Sequence, residues 1–304
     1  MNVATTTGPH VVGPAGSLLG RAAELVKIAR PGFWPTHLWF FLLPLGLRDM
    51  FGSTAFWAGC VYVCFPLGLL SYGWNDLGDA ETDALNPRKD SWLFGARPDA
   101  WMRQRLPALI VLSQLPFAAL FVWLAGPKTL LCLFAIVLAN GLYNAPRFGW
   151  KQFAGLDLLN QVGYLLVFVL ASWLCGVPQL SWPAMVFSAL FAMHSHLFGQ
   201  LMDLEEDAAA GRRSTAVRLG VRPSKLLLAA MMLAEAGIAY VYFHGMFVSL
   251  FMGAGAAYFL GDALFGPRRY PVWFTKLFFA GWNVVVIATM HFVWRYGVFL
   301  SDSP

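Results

Sequence analysis

A chain of 304 residues that is 58% hydrophobic and only 12% charged, where ordinary globular domains carry roughly 25% charged residues, is composed for lipid rather than water. Its mean hydropathy of +0.59 agrees and leaves no soluble domain of useful size. The net charge of +5 requires no nucleic-acid partner, because Lys and Arg concentrate in the short loops that membranes retain on the cytoplasmic side.

Residues 1–16, MNVATTTGPHVVGPAG, have no basic stretch followed by an apolar core, so they read as a disordered lead and not as a signal peptide. Next, SLLGRAAELVKIAR sets Leu18, Leu19, Ala22, Leu25, Val26 and Ala29 against Arg21, Glu24 and Lys27. That pattern predicts a helix lying in the membrane interface over about 17–30. Apolar runs bounded by Gly, Pro and charge then recur near 33–50, 54–75, 105–125, 128–146, 156–176, 183–202, 223–243, 246–265 and 272–296, most of them close to the ~20 residues that cross a bilayer. The fold class is therefore all-α: a polytopic membrane protein with nine transmembrane helices around a central cavity. As a domain plan, 17–304 form a single unit with four-helix halves at about 33–146 and 156–265 and a last span. The cysteines Cys60, Cys64, Cys132 and Cys175 all lie inside apolar runs without metal-ligand spacing and read as packing residues.

Nine spans place every one of the 21 Lys and Arg residues except Arg48, Lys128 and Arg295 on one side. The positive-inside rule then puts the N-terminus in the cytoplasm and the C-terminus outside, in the cell membrane. A missed span would scramble that asymmetry, since every later loop would change sides.

Against this background NDLGDAETD, Asn75 to Asp83, is out of character: it opens directly from an apolar run. If the second span continues as helix, Asp76, Asp79 and Asp83 lie on one stripe, with Glu81 off it as a bystander. Such a stripe repels itself unless a cation sits within it, and hard oxygen ligands favour Mg²⁺. A second cluster follows the sixth span, where Asp203 and Asp207 are at i and i+4 with Glu206 nearby. Four spans separate the clusters, so both open on the same side, as two metal half-sites facing one cavity. A solvated loop is the plain alternative for either cluster alone; the pairing argues against it. Arg88 and Lys89 follow the first cluster, Arg212 and Arg213 the second, and LYNAPRFGWK places Tyr143, Arg147 and Lys151 in the loop after span four. Carboxylates for Mg²⁺ flanked by phosphate-clamping cations describe a diphosphate site, and the apolar cavity below implies a greasy tail.

Polar residues within the spans add weaker candidates. Asn140, Asn144, Asp157, Asn160 and Gln161 face either a cavity or neighbouring helices, and Asn144, Asp157 and Asn160 are acceptor-site candidates. His194 is a candidate proton acceptor; His194 and His196, two apart, point to different faces and do not make a zinc pair. Glu235 and Asp262 read as interhelical packing. The 26 Phe, 13 Trp and 9 Tyr supply ample rings for a cation-stabilising lining, although interfacial belts claim many of them.

The motifs Asn75-Asp76-x-x-Asp79-x-x-x-Asp83 and Asp203-x-x-x-Asp207-x-x-x-Gly211, followed by Arg213-Ser-Thr215, resemble the two aspartate-rich motifs of the UbiA superfamily of intramembrane prenyltransferases. Tyr143, Arg147 and Lys151 are similar to that family's tyrosine-and-basic loop. The resemblance implies that Asp76, Asp79 and Asp83, with Asn75, bind one Mg²⁺ and that Asp203 and Asp207 bind another, so these five aspartates carry catalysis. It also implies that Arg88, Lys89, Tyr143, Arg147, Lys151 and Arg213 hold the diphosphate. The family's Arg-x-x-Arg-Pro stretch is replaced here by ALNPRKDSWLFGARPDAW, which leaves Arg88, Lys89 and Arg97 as alternatives for its role. IARPGFW, LNPRK and AMHSH resemble the branch containing lycopene elongases.

The implied reaction is Mg²⁺-dependent transfer of a prenyl group from a polyprenyl diphosphate to a lipophilic acceptor in the membrane, through an allylic cation. Two other readings share parts of the pattern: a membrane terpene cyclase that needs no acceptor, and a carrier for an anionic lipid or small molecule, which predicts polar breaks near the midplane.

Overall fold

Helix α1 (Leu18–Ile28) begins where the Ser17 hydroxyl accepts a hydrogen bond from Gly20 N at 3.0 Å and is capped at Ala29, after which the chain turns at Arg30, a non-glycine residue with φ 50°. The computed structural model describes residues 17–79, 83, 86 and 88–300. The expected lead over 1–16 and the bystander Glu81 fall outside them.

After α1 the chain enters the bundle through α2 (Trp34–Leu42), α3 (Thr54–Gly78), α4 (Ala100–Ala125), α5 (Lys128–Asn144), α6 (Leu156–Cys175) and α7 (Trp182–Met202). Short helices α8 (Leu204–Ala209) and α9 (Thr215–Leu219) cross one end before α10 (Val221–Phe243), α11 (Met246–Phe265) and α12 (Val272–Tyr296) complete it. Six helices, α3, α4, α6, α10, α11 and α12, are long and apolar enough to cross a membrane. The three other expected spans differ for physical reasons: α2 and α5 are shorter, and α7 is diluted by His194, His196 and Gln200. No strand occurs among the described residues.

α2 lies against α3, α6 and α12, α4 against α5, and α7 against α10, while α10 and α11 form the most extensive pair. Phe40, Phe168 and Phe191 meet in the middle. The outer surface keeps Leu115, Phe134, Leu233, Leu250 and Leu277 exposed, an apolar coat suited to acyl chains and costly in water at ~25 cal/mol per Å².

The loop between α3 and α4 folds back under α1. Lys27 bonds Asp90 at 2.6 Å and Arg21 bonds Asp99 at 2.7 Å. Gly32 is required at this seam, since a Cβ there would sit 2.7 Å from the Leu93 carbonyl oxygen. Docking this loop carries Arg88 and Lys89 over the end of α3.

Candidate active site

Within α3 a π-helical stretch spans Leu69–Gly73, and the helix stops at Gly78. Asp79 takes the cap position (φ −109°, ψ 13°). The single carboxylate stripe expected over Asp76, Asp79 and Asp83 is interrupted at Asp79, where the backbone leaves the helical conformation after Gly78, although Asp83 N still bonds the Asp79 carbonyl oxygen at 2.8 Å. Asp76 Oδ1 accepts from both Arg30 and Lys89 at 2.7 Å, and Lys89 also reaches Asp83 at 2.7 Å. Asp79 turns elsewhere, to Lys151 at 2.8 Å and Arg212 at 2.7 Å.

Arg212 joins the two motifs, since its other nitrogen lies 3.2 Å from Asp207. Asp203 pairs with Arg88 and accepts from Asn86 Nδ2 at 2.9 Å. Among the described residues, five carboxylates thus face five cations, Arg30, Arg88, Lys89, Lys151 and Arg212, at one end of the bundle. Ion pairs this buried must be near complete, because an uncompensated buried charge costs several kcal/mol.

The electrostatics are uneven. Burial opposes ionisation of Asp79, but Arg212 and Lys151 outweigh it and hold the carboxyl below its ordinary value. For Asp207, burial wins with help from Asp79 and Glu206 and pushes the pKa up to about 6, although Arg212 opposes. Asp83 is also raised, by burial first, with Lys89 pulling it down and Asp76 pushing it up. Burial lowers Arg88 to about 10, which still leaves it charged at neutral pH.

Local structure explains these positions. Asn86 Oδ1 accepts from Arg88 N at 3.0 Å, and Ser91 Oγ donates to the Arg88 carbonyl at 3.0 Å while accepting from Phe94 N. Arg97 instead ties the loop, donating to the Asn86 carbonyl at 2.7 Å. Of the three alternatives, Arg88 and Lys89 thus enter the cluster and Arg97 does not. Asp157, fully buried, anchors the segment after Arg212: its Oδ2 accepts from Thr215 N at 2.7 Å and Gln200 Nε2 at 2.6 Å, and its Oδ1 pairs with the Thr215 hydroxyl. This saturation makes Asp157 a brace, which corrects its reading as an acceptor-site candidate.

Asn144 Oδ1 accepts from Lys151 Nζ at 3.3 Å, steadying that cation. The Tyr143 hydroxyl meets His196 Nε2 at 3.3 Å, while His194 Nδ1 lies 2.7 Å from Glu235, so the two histidines do serve different faces. Asn75 contributes its carbonyl to Asp79 N at 3.0 Å and makes no side-chain bond among the described residues. Arg147 and Arg213 stand apart, both exposed and without an ion pair among the described residues. Arg212, the neighbour of Arg213, enters in its place. Arg30 is a site residue that the sequence does not single out; its left-handed backbone is the kind of local strain that recurs at functional sites, but that signal is invisible in a sequence.

Whether these residues suit a divalent cation and a phosphate can be judged from two orphaned atoms. Asp76 Oδ2 is a buried acceptor without a donor, and Arg30 Nε is a buried donor without an acceptor. A cation satisfies the first and a phosphate oxygen the second, so the donor set fits both. Among the described residues, no three His, Cys, Asp or Glu side chains converge as metal ligands do, because Lys and Arg side chains stand between the carboxylates. Beneath them runs an aromatic array: Arg30 over Tyr72 at 4.6 Å, Tyr72 to Phe33 at 5.1 Å, Phe33 to Phe279 at 4.7 Å, Phe279 to Phe94 at 5.0 Å, and Arg88 over Phe94 at 5.1 Å.

An all-α bundle with apolar spans and a paired acidic site at one end defines an integral membrane enzyme. Residues 33–284 match the model of the UbiA prenyltransferase family, and the chain belongs to that family; it is a prenyltransferase. Among sequence relatives, a lycopene elongase/hydratase of Haloferax volcanii is 30% identical over 216 residues, 68% of each chain. One of Haloarcula japonica is 29% identical over 217 residues, covering 69% of this chain and 70% of the relative. The fold is shared with a UbiA homolog from Archaeoglobus fulgidus whose structure is described as bound to DMAPP and Mg²⁺ (TM-score 0.66, 16% identity, 89% of this chain and 98% of that one).

Proposed function

We propose that the chain transfers a prenyl group from a prenyl diphosphate to a lipophilic acceptor inside the membrane, releasing diphosphate through an allylic cation. One observation carries this reading: a charge-balanced set of five carboxylates and five cations, with Asp76 Oδ2 and Arg30 Nε unpaired, directly above a continuous aromatic array. The Archaeoglobus fulgidus homolog described with DMAPP or GPP and Mg²⁺ supports the donor class. The lycopene elongase/hydratase relatives support an acyclic polyene such as lycopene as acceptor.

Asp76, Asp79 and Asp83, with Asn75, are the ligands proposed for one Mg²⁺, and Asp203 and Asp207 for a second. Mg²⁺ supplies charge neutralisation for the departing diphosphate. The chain's own part follows from its ion pairs. With the aspartates engaged by that ion, Lys89, Lys151 and Arg212 would be free to turn to phosphate oxygens together with Arg30 and Arg88. Tyr143 and Asn144 border that set by holding His196 and Lys151, while Arg147 and Arg213 receive the diphosphate at the solvent edge. The aromatic faces below stabilise the cation left on the prenyl carbon, and the apolar walls exclude water that would quench it.

The basic-residue asymmetry supports a site opening to the cytoplasm, with the N-terminus inside, the C-terminus outside and nine crossings of the cell membrane. Product analysis by mass spectrometry tests the reading: purified protein with Mg²⁺ is offered C5, C10, C15 and C20 diphosphates, with and without lycopene and other acceptors. An acceptor carrying added prenyl mass is expected. A cyclised hydrocarbon formed without acceptor would replace transfer with cyclisation, and absence of diphosphate release with every donor would favour a carrier.

A further inference from the structure

A transfer that alkylates a carbon–carbon double bond is incomplete until a proton leaves, and the ionising machinery above provides no free base. Asp76 and Asp79 are each held by two cations. His194 and Glu235 occupy each other, with Glu235 fully buried and closed to substrate. His196 Nε2 meets the Tyr143 hydroxyl beside the diphosphate cations, and a second tyrosine–histidine pair lies against the aromatic array instead. His37, 2% exposed, has Nδ1 at 2.9 Å from the Val63 carbonyl oxygen. A carbonyl only accepts, so Nδ1 carries the proton and Nε2 carries the lone pair.

That lone pair meets the Tyr72 hydroxyl at 3.2 Å, and the two rings lie nearly coplanar at 5.8 Å. Tyr72 is half-buried, within the π-helical stretch of α3 and about one turn before Asp76, and π-bulges recur where function demands an altered turn. Arg30, which bonds Asp76, covers the Tyr72 ring. Its hydroxyl bonds buried His37 while its ring packs on Phe33 in the aromatic array, the array over which the proposed reaction would leave its prenyl cation.

We propose that Tyr72, backed by His37, accepts the proton shed by the alkylated acceptor; this rests on the prenyl-transfer reading above. The acceptor's π electrons form the new C–C bond to the prenyl carbon and leave a tertiary cation on the neighbouring carbon. An adjacent C–H bond then breaks and its electron pair becomes a new C=C bond. The proton passes to the Tyr72 oxygen as Tyr72's own proton moves to His37 Nε2, leaving neutral tyrosine and an imidazolium. Tyr72 is the catalytic residue here and His37 a positioning residue that also receives the charge.

The same tertiary cation has a second fate, capture by water to give an alcohol, so the ratio of alkene to alcohol product reports on the base. His37→Gln keeps an acceptor for the Tyr72 hydroxyl but cannot take its proton, and Tyr72→Phe removes the oxygen. Products formed from dimethylallyl diphosphate and lycopene are separated by chromatography and mass. Binding of the unreactive thiolo analogue of the donor, with Mg²⁺ and within twofold of the parent, shows an assembled site. The expected result is an alkene-to-alcohol ratio at least tenfold lower in both variants. An unchanged ratio in His37→Gln, or a parent enzyme that makes alcohol alone, overturns the proposal. Absence of any prenylated product from the parent would fail the transfer reading itself, a separate outcome.

Discussion

The two acidic motifs differ in how their charge is met. In the first, Asp76 and Asp79 are buried and each binds two cations from elsewhere in the chain. In the second, Asp203 is partly exposed with one ion pair, Asp207 shares Arg212 with Asp79, and Glu205 and Glu206 are drawn off by Arg269. The contrast teaches that half-sites with similar spelling are not equivalent. Within the first, Arg212 and Lys151 hold Asp79 below its ordinary value against burial, whereas in the second burial pushes Asp207 up to about 6.

Asp79→Asn probes the first motif and is expected to lower turnover about a thousandfold, a scale typical of lost transition-state charge stabilisation; steady-state diphosphate release measures it. Glu81→Gln should be mild beside it, and equal losses would remove the distinction between the two acids. Arg30→Ala leaves Asp76 with Lys89 alone, and breaking a buried pair costs roughly 3 kcal/mol or more. A clear fall in thermal unfolding temperature in detergent is expected, and an unchanged temperature would mean that Lys89 alone compensates the charge. Arg212→Ala cuts the link between the halves and should cost about a hundredfold in kcat/KM, against less than about threefold for Arg213→Ala. Equal effects from these neighbours would contradict the observed geometry.

The smallest effect is a pH dependence. Asp207, with a pKa pushed up to about 6, must be ionised to hold a metal, so the Mg²⁺ concentration for half-maximal activity should rise up to about tenfold per pH unit below 6. Stability without metal moves oppositely for the two acids. Ionising Asp207 as pH rises through about 6 weakens the fold, because its folded pKa exceeds the ordinary carboxylate value. Asp79, held below that value by Arg212 and Lys151, stabilises at higher pH and loses that contribution as pH falls through its folded pKa. Mg²⁺ titrations and unfolding scans at pH 5, 6 and 7 check the sign for Asp207, and unfolding scans continued below about pH 4 check the sign for Asp79.

Much of this was legible because lipid imposes strict patterning. Long apolar runs announced helices α3, α4, α6, α10, α11 and α12, and an acidic burst beside an apolar run announced a site. The misplacements are local. NDLGDAETD carries helix-compatible spacing, yet α3 ends at Gly78, and which way Asp79 turns depends on Lys151 and Arg212, 72 and 133 positions away. Arg213 matched a motif, but Asp157 braces Thr215 and Gln200 braces Ala216, and in the segment so held Arg212 is the one that reaches Asp79.

Composition, hydrophobic periodicity and the placement of charge, all properties of the chain itself, settled the solvent, the fold class and the residues from which the site is drawn. Tertiary structure alone decided the pairing: which cation neutralises which carboxylate, the use of Arg30 in a left-handed conformation, and the Tyr72–His37 contact. Those depend on distances between segments far apart in sequence, where energies of several kcal/mol per buried charge turn on ångströms that no spacing encodes.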